Sequence, residues 1–377
     1  MRKAFKFKSL IIIIFVVVLT FLGRTVSTFS ISERNLVCML GIDYDGVNYV
    51  VTAQIVSPSS GGASESSSAD TFATVTDKAT TVSEALNNIG SKTGHVLSLA
   101  HCNIVMLSKV ALLHGPDSYL VNLTTSWLLP LNAVLVATDD APESIMKLRV
   151  PTADVMTFYL QSRLLTEKRG LVTKTHINTF LTDYSSKSET VLVPVCRPIE
   201  LSDDSILSSS KGNGKYVAPD LKSNFAVTKG GSIVTLDENA VGAINLMRKQ
   251  ISEANLSIVY DDYKIEYQIV KSKTKMKYEN NKVSAKLSAD VAIKEIESVN
   301  FSEYLLSKEF KETFTKKLKQ ELENKLSDAF NLSKSSGSDF LMIKNLVWQS
   351  EGLSADLSHV LDSTQFKPEV EISLVKS

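Results

Sequence analysis

From Val283 to Ile293 every odd position is apolar: Val283, Ala285, Leu287, Ala289, Val291 and Ile293. The even positions through Asp290 are Ser284, Lys286, Ser288 and Asp290. Successive strand side chains point to opposite faces, so this period of two predicts a half-buried antiparallel strand. The turn Glu279-Asn280-Asn281 joins it to an earlier strand over about 263–278. In that strand the apolar phase changes, with Ile265, Tyr267 and Ile269 odd but Met276 and Tyr278 even. A one-residue change of phase is what a β-bulge produces. Lys271, Lys273, Lys275 and Lys277 then share one face, as a solvated surface or as a contact for anionic lipid or a partner. A long helix over 303–331 follows, in which Leu306, Phe310, Phe314, Leu318, Leu322, Leu326 and Phe330 recur every four residues. At 100° per residue such a stripe drifts about 40° per step, so it winds round the helix and does not form a straight coiled-coil seam. The helix is expected to lie across a twisted sheet under more than one covering element, with Lys317 on its charged side. Alternation at Val370, Ile372 and Leu374 predicts a final strand.

The opposite end of the chain has a different character. Arg2, Lys3, Lys6 and Lys8 precede an apolar run from Leu10 to Leu22, broken only by Thr20. A basic segment before an apolar one is the layout of a secretory signal. The run is shorter than the roughly 20 residues that span a bilayer without tilt. Residues 1–30 are therefore expected to be a cleaved signal or a short uncleaved anchor, with the rest of the chain outside the cytoplasm.

Between these ends the pattern alternates. Residues 36–42 are almost continuously apolar, as in a fully buried strand, and Asp45-Gly46 turns the chain into a β-rich run from Tyr49 to Val56. Ser57 to Thr71 holds seven serines and two adjacent glycines and is expected to be a flexible loop. Helical pattern over 81–88, a short strand over 102–107, helix over 110–129 broken at Gly115-Pro116, a strand over 132–138 and a helix over 141–148 suggest α/β layering. Residues 152–183 read mostly as helix and 191–195 as a strand. The Ser-, Asp- and Gly-rich stretch 201–222 is expected to be a linker or long loop. The expected organisation is thus an anchor over 1–30, one domain over 31–200, the linker, and a second domain over 223–377. The expected fold class is α/β (mixed α+β), multi-domain, with several twisted mixed or antiparallel sheets flanked by helices.

Lys and Arg total 41 against 41 Asp and Glu, so the formal net charge is zero. That balance argues against a nucleic-acid binder, which carries a basic excess. An apolar content of 44%, with 16 Gly and 9 Pro, supports packed cores. Candidate chemistry is sparse. No G-x-S-x-G elbow occurs. His95 and His101 are six apart, which suits neither one helix face nor one strand turn as a metal site. Cys38, Cys102 and Cys196 sit in or beside apolar strands and are expected in cores. Asp139-Asp140, Asp203-Asp204 and Asp261-Asp262 fall at element ends, where they suit caps or turns. Gly230-Gly231 lacks the spacing of a phosphate loop and suits a turn between strands. No catalytic, cofactor-binding or metal-binding residue is assigned. An exported α/β chain of this kind is expected to be a binding or assembly component. The alternative is an exported envelope hydrolase or solute-binding protein; the latter would show two similar lobes, and the two halves carry no internal repeat.

The order of these features resembles the Ger(x)C family, the C subunits of bacterial spore germinant receptors. The resemblance rests on Glu33-Arg34-Asn35-Leu36-Val37-Cys38-Met39-Leu40-Gly41-Ile42-Asp43, on Tyr49 to Val56, and on Leu99-Ala100-His101-Cys102-Asn103-Ile104-Val105-Met106-Leu107. It continues through Asn132 to Ala137, Thr179-Phe180-Leu181, Val191-Leu192-Val193-Pro194, and the stretch from Phe225 to Gly242. One departure is that such proteins end the apolar run with a lipobox cysteine. Here Arg24 follows Leu22-Gly23, and counting back from Glu33 puts Thr28 in the cysteine's place. Neither residue offers a thiol for lipid attachment, so an uncleaved N-terminal helix becomes the expected anchor. The resemblance implies a three-domain α/β fold and a non-enzymatic subunit without cofactors. It further implies a place on the outer face of the cell membrane or spore inner membrane, beside two integral membrane subunits, and a role in the response to small nutrient germinants.

Overall fold

A computed structural model describes residues 15, 34–56, 72–148, 150, 156–166, 170, 172–200, 217–251, 253–260, 263–296 and 307–375. The anchor over 1–30, apart from Phe15, and the serine-rich stretch over 57–71 lie outside these residues.

The first sheet starts with β1 (Arg34–Tyr44) and β2 (Tyr49–Val56), an antiparallel hairpin. Asp45 makes its turn: one carboxylate oxygen accepts from the amides of Val47 and Asn48. β3 (Phe72–Ala79) continues the sheet on one side. On the other side β5 (Ile104–Ser108), β6 (Val134–Thr138) and β7 (Thr190–Glu200) pair in parallel, and the short β4 (Val96–Ser98) pairs with the start of β1. Antiparallel β8 (Val217–Thr228) and β9 (Ser232–Leu236) complete it, giving nine strands among the described residues.

Helices cover both faces of this sheet. α1 (Val82–Thr93), α2 (Lys109–Leu113), α3 (Pro116–Ser126) and α6 (Ile177–Tyr184) bury one face. α4 (Pro142–Met146) and α5 (Met156–Thr166) bury the other. This explains why the central strands are continuously apolar: Val105 and Leu107 of β5 enter one core, Ile104 and Met106 the other. The glycine of the β1 motif has a packing reason. A Cβ on Gly41 would lie 2.7 Å from Pro142 Cβ and 2.8 Å from Met146 Sδ, so α4 can approach only a glycine.

After α7 (Glu238–Met247), the chain builds a second sheet from β10 (Ala254–Tyr260), β11 (Tyr263–Glu279), β12 (Lys282–Ile296) and β13 (Gln365–Leu374). The first three are antiparallel, whereas β13 runs parallel to β12. A parallel return needs a long crossover. It is supplied by α8 (Lys308–Ser336), α9 (Ile343–Glu351), a 3-10 turn (Gly352–Ser354) and α10 (Val360–Ser363). Register shifts at Glu266/Tyr267 and Ile269/Lys271 are the irregularity implied by the phase change in β11. One face of this sheet is sealed by α7, α8 and α9, and the same core takes in Leu192, Ala226 and Leu236 from β7–β9.

The mixed α/β class with twisted sheets flanked by helices therefore holds, but several boundaries differ. The loop expected over 201–222 extends too far: Val217 to Lys222, with Val217, Pro219 and Leu221 buried at alternate positions, belong to β8 and pair with the outer end of β7. Residues 201–216 lie outside the described residues. The long helix starts later than 303, because the Ser307 hydroxyl caps it by accepting from the Phe310 amide, and ends at Ser336 before left-handed Gly337. The mostly helical stretch over 152–183 is broken, since residues 172–176 are not helical and His176 bridges to Val134.

Candidate functional site

The residues singled out in the sequence do not converge. His95 follows the left-handed cap Gly94 of α1 and His101 lies in the β4–β5 connection; both are exposed. No group of three His, Cys, Asp or Glu suited to a metal occurs among the described residues. The three cysteines are unpaired and buried. Burial pushes the Cys38 and Cys102 thiols up and the Cys196 thiol up to about 12, so they behave as small apolar groups. Asp139, just past β6, pairs with Arg197 Nε at 2.7 Å. Asp203-Asp204 and Asp261-Asp262 lie outside the described residues. Gly230 and Gly231, at φ of +100° and +93°, make the turn between β8 and β9.

Sequence reasoning missed a buried polar junction, because its members are far apart in the chain. Asp339 is 1% exposed, at the start of α9. Its carboxylate accepts from the amides of Ile343 (2.8 Å) and Lys344 (2.7 Å) and from the Ser188 hydroxyl (2.6 Å) just before β7. Ser188 N in turn donates to Asn345 Oδ1 at 3.0 Å. Burial dominates over these donors and raises the Asp339 carboxyl above its ordinary value. Nearby, Arg248 at the end of α7 meets Asp183 of α6 in a nearly buried ion pair. Burial also raises Asp183, against the pull of Arg248. These contacts join α6–β7 of the first sheet to α7 and α9 of the second. Arg248 Nη1 is nevertheless buried without a hydrogen-bond partner among the described residues.

The other prominent region is the outer face of the second sheet. The side chains of Lys271, Lys273, Lys275 and Lys277 are exposed, while the intervening Thr274 is buried and donates to the Leu246 carbonyl. Lys275, Lys277, Lys282, Lys286 and Lys367 line an open hollow of about 710 Å³ together with Glu279 and Glu369. Lys286 is paired with Glu371, which raises the lysine and lowers the carboxylate from their ordinary values.

The fold is thus a two-sheet α/β protein whose second sheet presents a lysine-rich outer face. Comparison with known proteins makes this specific. A profile for the spore germination protein N-terminal domain matches residues 28–198, and one described as spore germination B3/GerAC like, C-terminal, matches residues 223–373. The chain belongs to this Ger(x)C family of spore germination proteins. The crystal structure of the GerBC protein shares its fold, with a TM-score of 0.55 and 15% identity over 89% of this chain and 96% of that one. No curated protein matches the chain.

Proposed function

We propose that this chain is the extracytoplasmic C subunit of a nutrient germinant receptor, tethered by its own N-terminal segment. It works by binding and assembly with two integral membrane subunits, without catalysis. The observation that carries the reading is the pair of germination-protein domains matched in order over 28–198 and 223–373. Arg24 and Thr28 at the family's cysteine position favour a retained helix over a lipid as the tether. The organisation into units over 31–200 and 223–377 is part of this reading. The two are not independent bodies, since the second begins within β8 and shares a core with β7.

The test is to measure spore response to nutrients and subunit abundance together in a series of variants. Substitutions of His95, His101 or Ser98 are expected to leave both unchanged. Loss of response at normal abundance in any of the three would contradict a role confined to binding and assembly.

A further inference from the structure

The end of the second sheet at the β11–β12 turn combines two features that its own fold does not use. On the outer side, Lys275, Lys277, Lys282 and Lys367 form no ion pair with any described residue. Lys275 also stands directly opposite Lys286 across the ladder, a like-charge pairing that costs stability in water. On the inner side of the same end, Glu351 lies beside the Tyr278 hydroxyl. The next residues form the 3-10 turn Gly352–Ser354, which holds Leu353 at 98% exposure. Acidic groups in this region are Glu279, Glu351, Asp356, Glu369 and Glu371, of which Glu371 is taken by Lys286 and Asp356 accepts from Ser358.

We propose that this end of the molecule rests on an anionic bilayer, with the lysines against lipid phosphates and Leu353 in the interfacial layer. Lysine is depleted from the cores of protein interfaces, whereas clusters of exposed lysine are attracted electrostatically to anionic lipid. About 12 residues separate Leu22 from Arg34 at the start of β1, a maximum reach of roughly 40 Å for the tether. The inference rests on the tether proposed above and deepens it, from a chain hanging on one segment to a body held in a fixed orientation.

The native cysteines are all buried, so Leu353→Cys gives one accessible thiol for an environment-sensitive dye on the full chain. Val47→Cys, 74% exposed at the end of β1 away from the tether, is the control. Each labelled protein is bound to vesicles of zwitterionic lipid alone or with about 30% anionic lipid and checked by flotation. The expected result is a blue-shifted label at position 353 on anionic vesicles only, reversed by high salt. It should also be reversed by combining Lys275→Gln, Lys277→Gln, Lys282→Gln and Lys367→Gln, while the protein still floats and the label at position 47 stays in water. A protein that floats with its position-353 label in water overturns the inference and leaves the tether standing. A protein that does not float overturns the tether and the docked orientation together.

Discussion

Asp339 shows how one residue ties distant parts of the chain. It caps α9 and holds Ser188, 151 positions away in sequence. Nothing local in the sequence marks either residue as a partner of the other, so the junction was not legible there. The burial of Cys38, Cys102 and Cys196 and the turn at Asp45-Gly46 were legible, because each follows from its immediate neighbours. The Asp339 carboxyl lies above its ordinary value of 3.8 when folded. The folded state therefore holds the proton more tightly than the unfolded one, and the buried charge becomes a penalty as pH rises through the folded value. The unfolding free energy of the native protein minus that of Asp339→Asn should therefore fall as pH rises above about 4, by about 1.4 kcal/mol per unit of pKa shift. Denaturant titrations at several pH values check this. A difference that grows with pH would mean that the three donors, and not burial, dominate the site.

At the scale of elements, α8 carries the clearest agreement between pattern and packing. Phe310, Phe314, Leu318, Leu322, Leu326 and Phe330 are all buried, and the covering comes from α7, α10 and β13 as well as the sheet, as a drifting stripe requires. Truncating Phe314 or Leu318 to alanine should cost about 2–5 kcal/mol through lost transfer energy and a cavity. Lys317 is exposed but is not idle on the charged side. Its Nζ sits 4.9 Å from the Tyr260 ring centroid, so Lys317→Ala should cost up to about 1 kcal/mol. Thermal or denaturant unfolding of the three variants tests the contrast; equal losses at all three positions would mean that the stripe is not what stabilises the helix. Elements that deviated from the sequence reading share a cause. β3 lacks a clean period of two, whereas β10 and the first half of β8 alternate but are short; all three are held as strands by hydrogen bonds from neighbouring strands.

At the scale of the whole molecule, the sequence showed layering and an expected division near 201–222, but not how the halves join. Long-range pairing does that: β8 and β9 extend the first sheet while Leu192, Ala226 and Leu236 help close the core of the second. The two sheets are joined further by Arg248–Asp183 and Ser188–Asp339. Among the described residues no helix is long and apolar enough to cross a membrane; the proposed tether is the apolar run from Leu10 to Leu22. The protein should fractionate with membranes and take up no fatty-acid label; a shortened soluble form would instead indicate cleavage after about Ser27.

The central claim is that the chain acts as a subunit. Its most direct test is capture of the affinity-tagged full chain from detergent-solubilised spore membranes, followed by identification of what co-purifies. The account predicts two multi-spanning membrane proteins, retained by the native chain and by the His95 and His101 variants and reduced with Phe314→Ala in step with abundance. Recovery of the native chain at normal abundance with no membrane protein bound would contradict it.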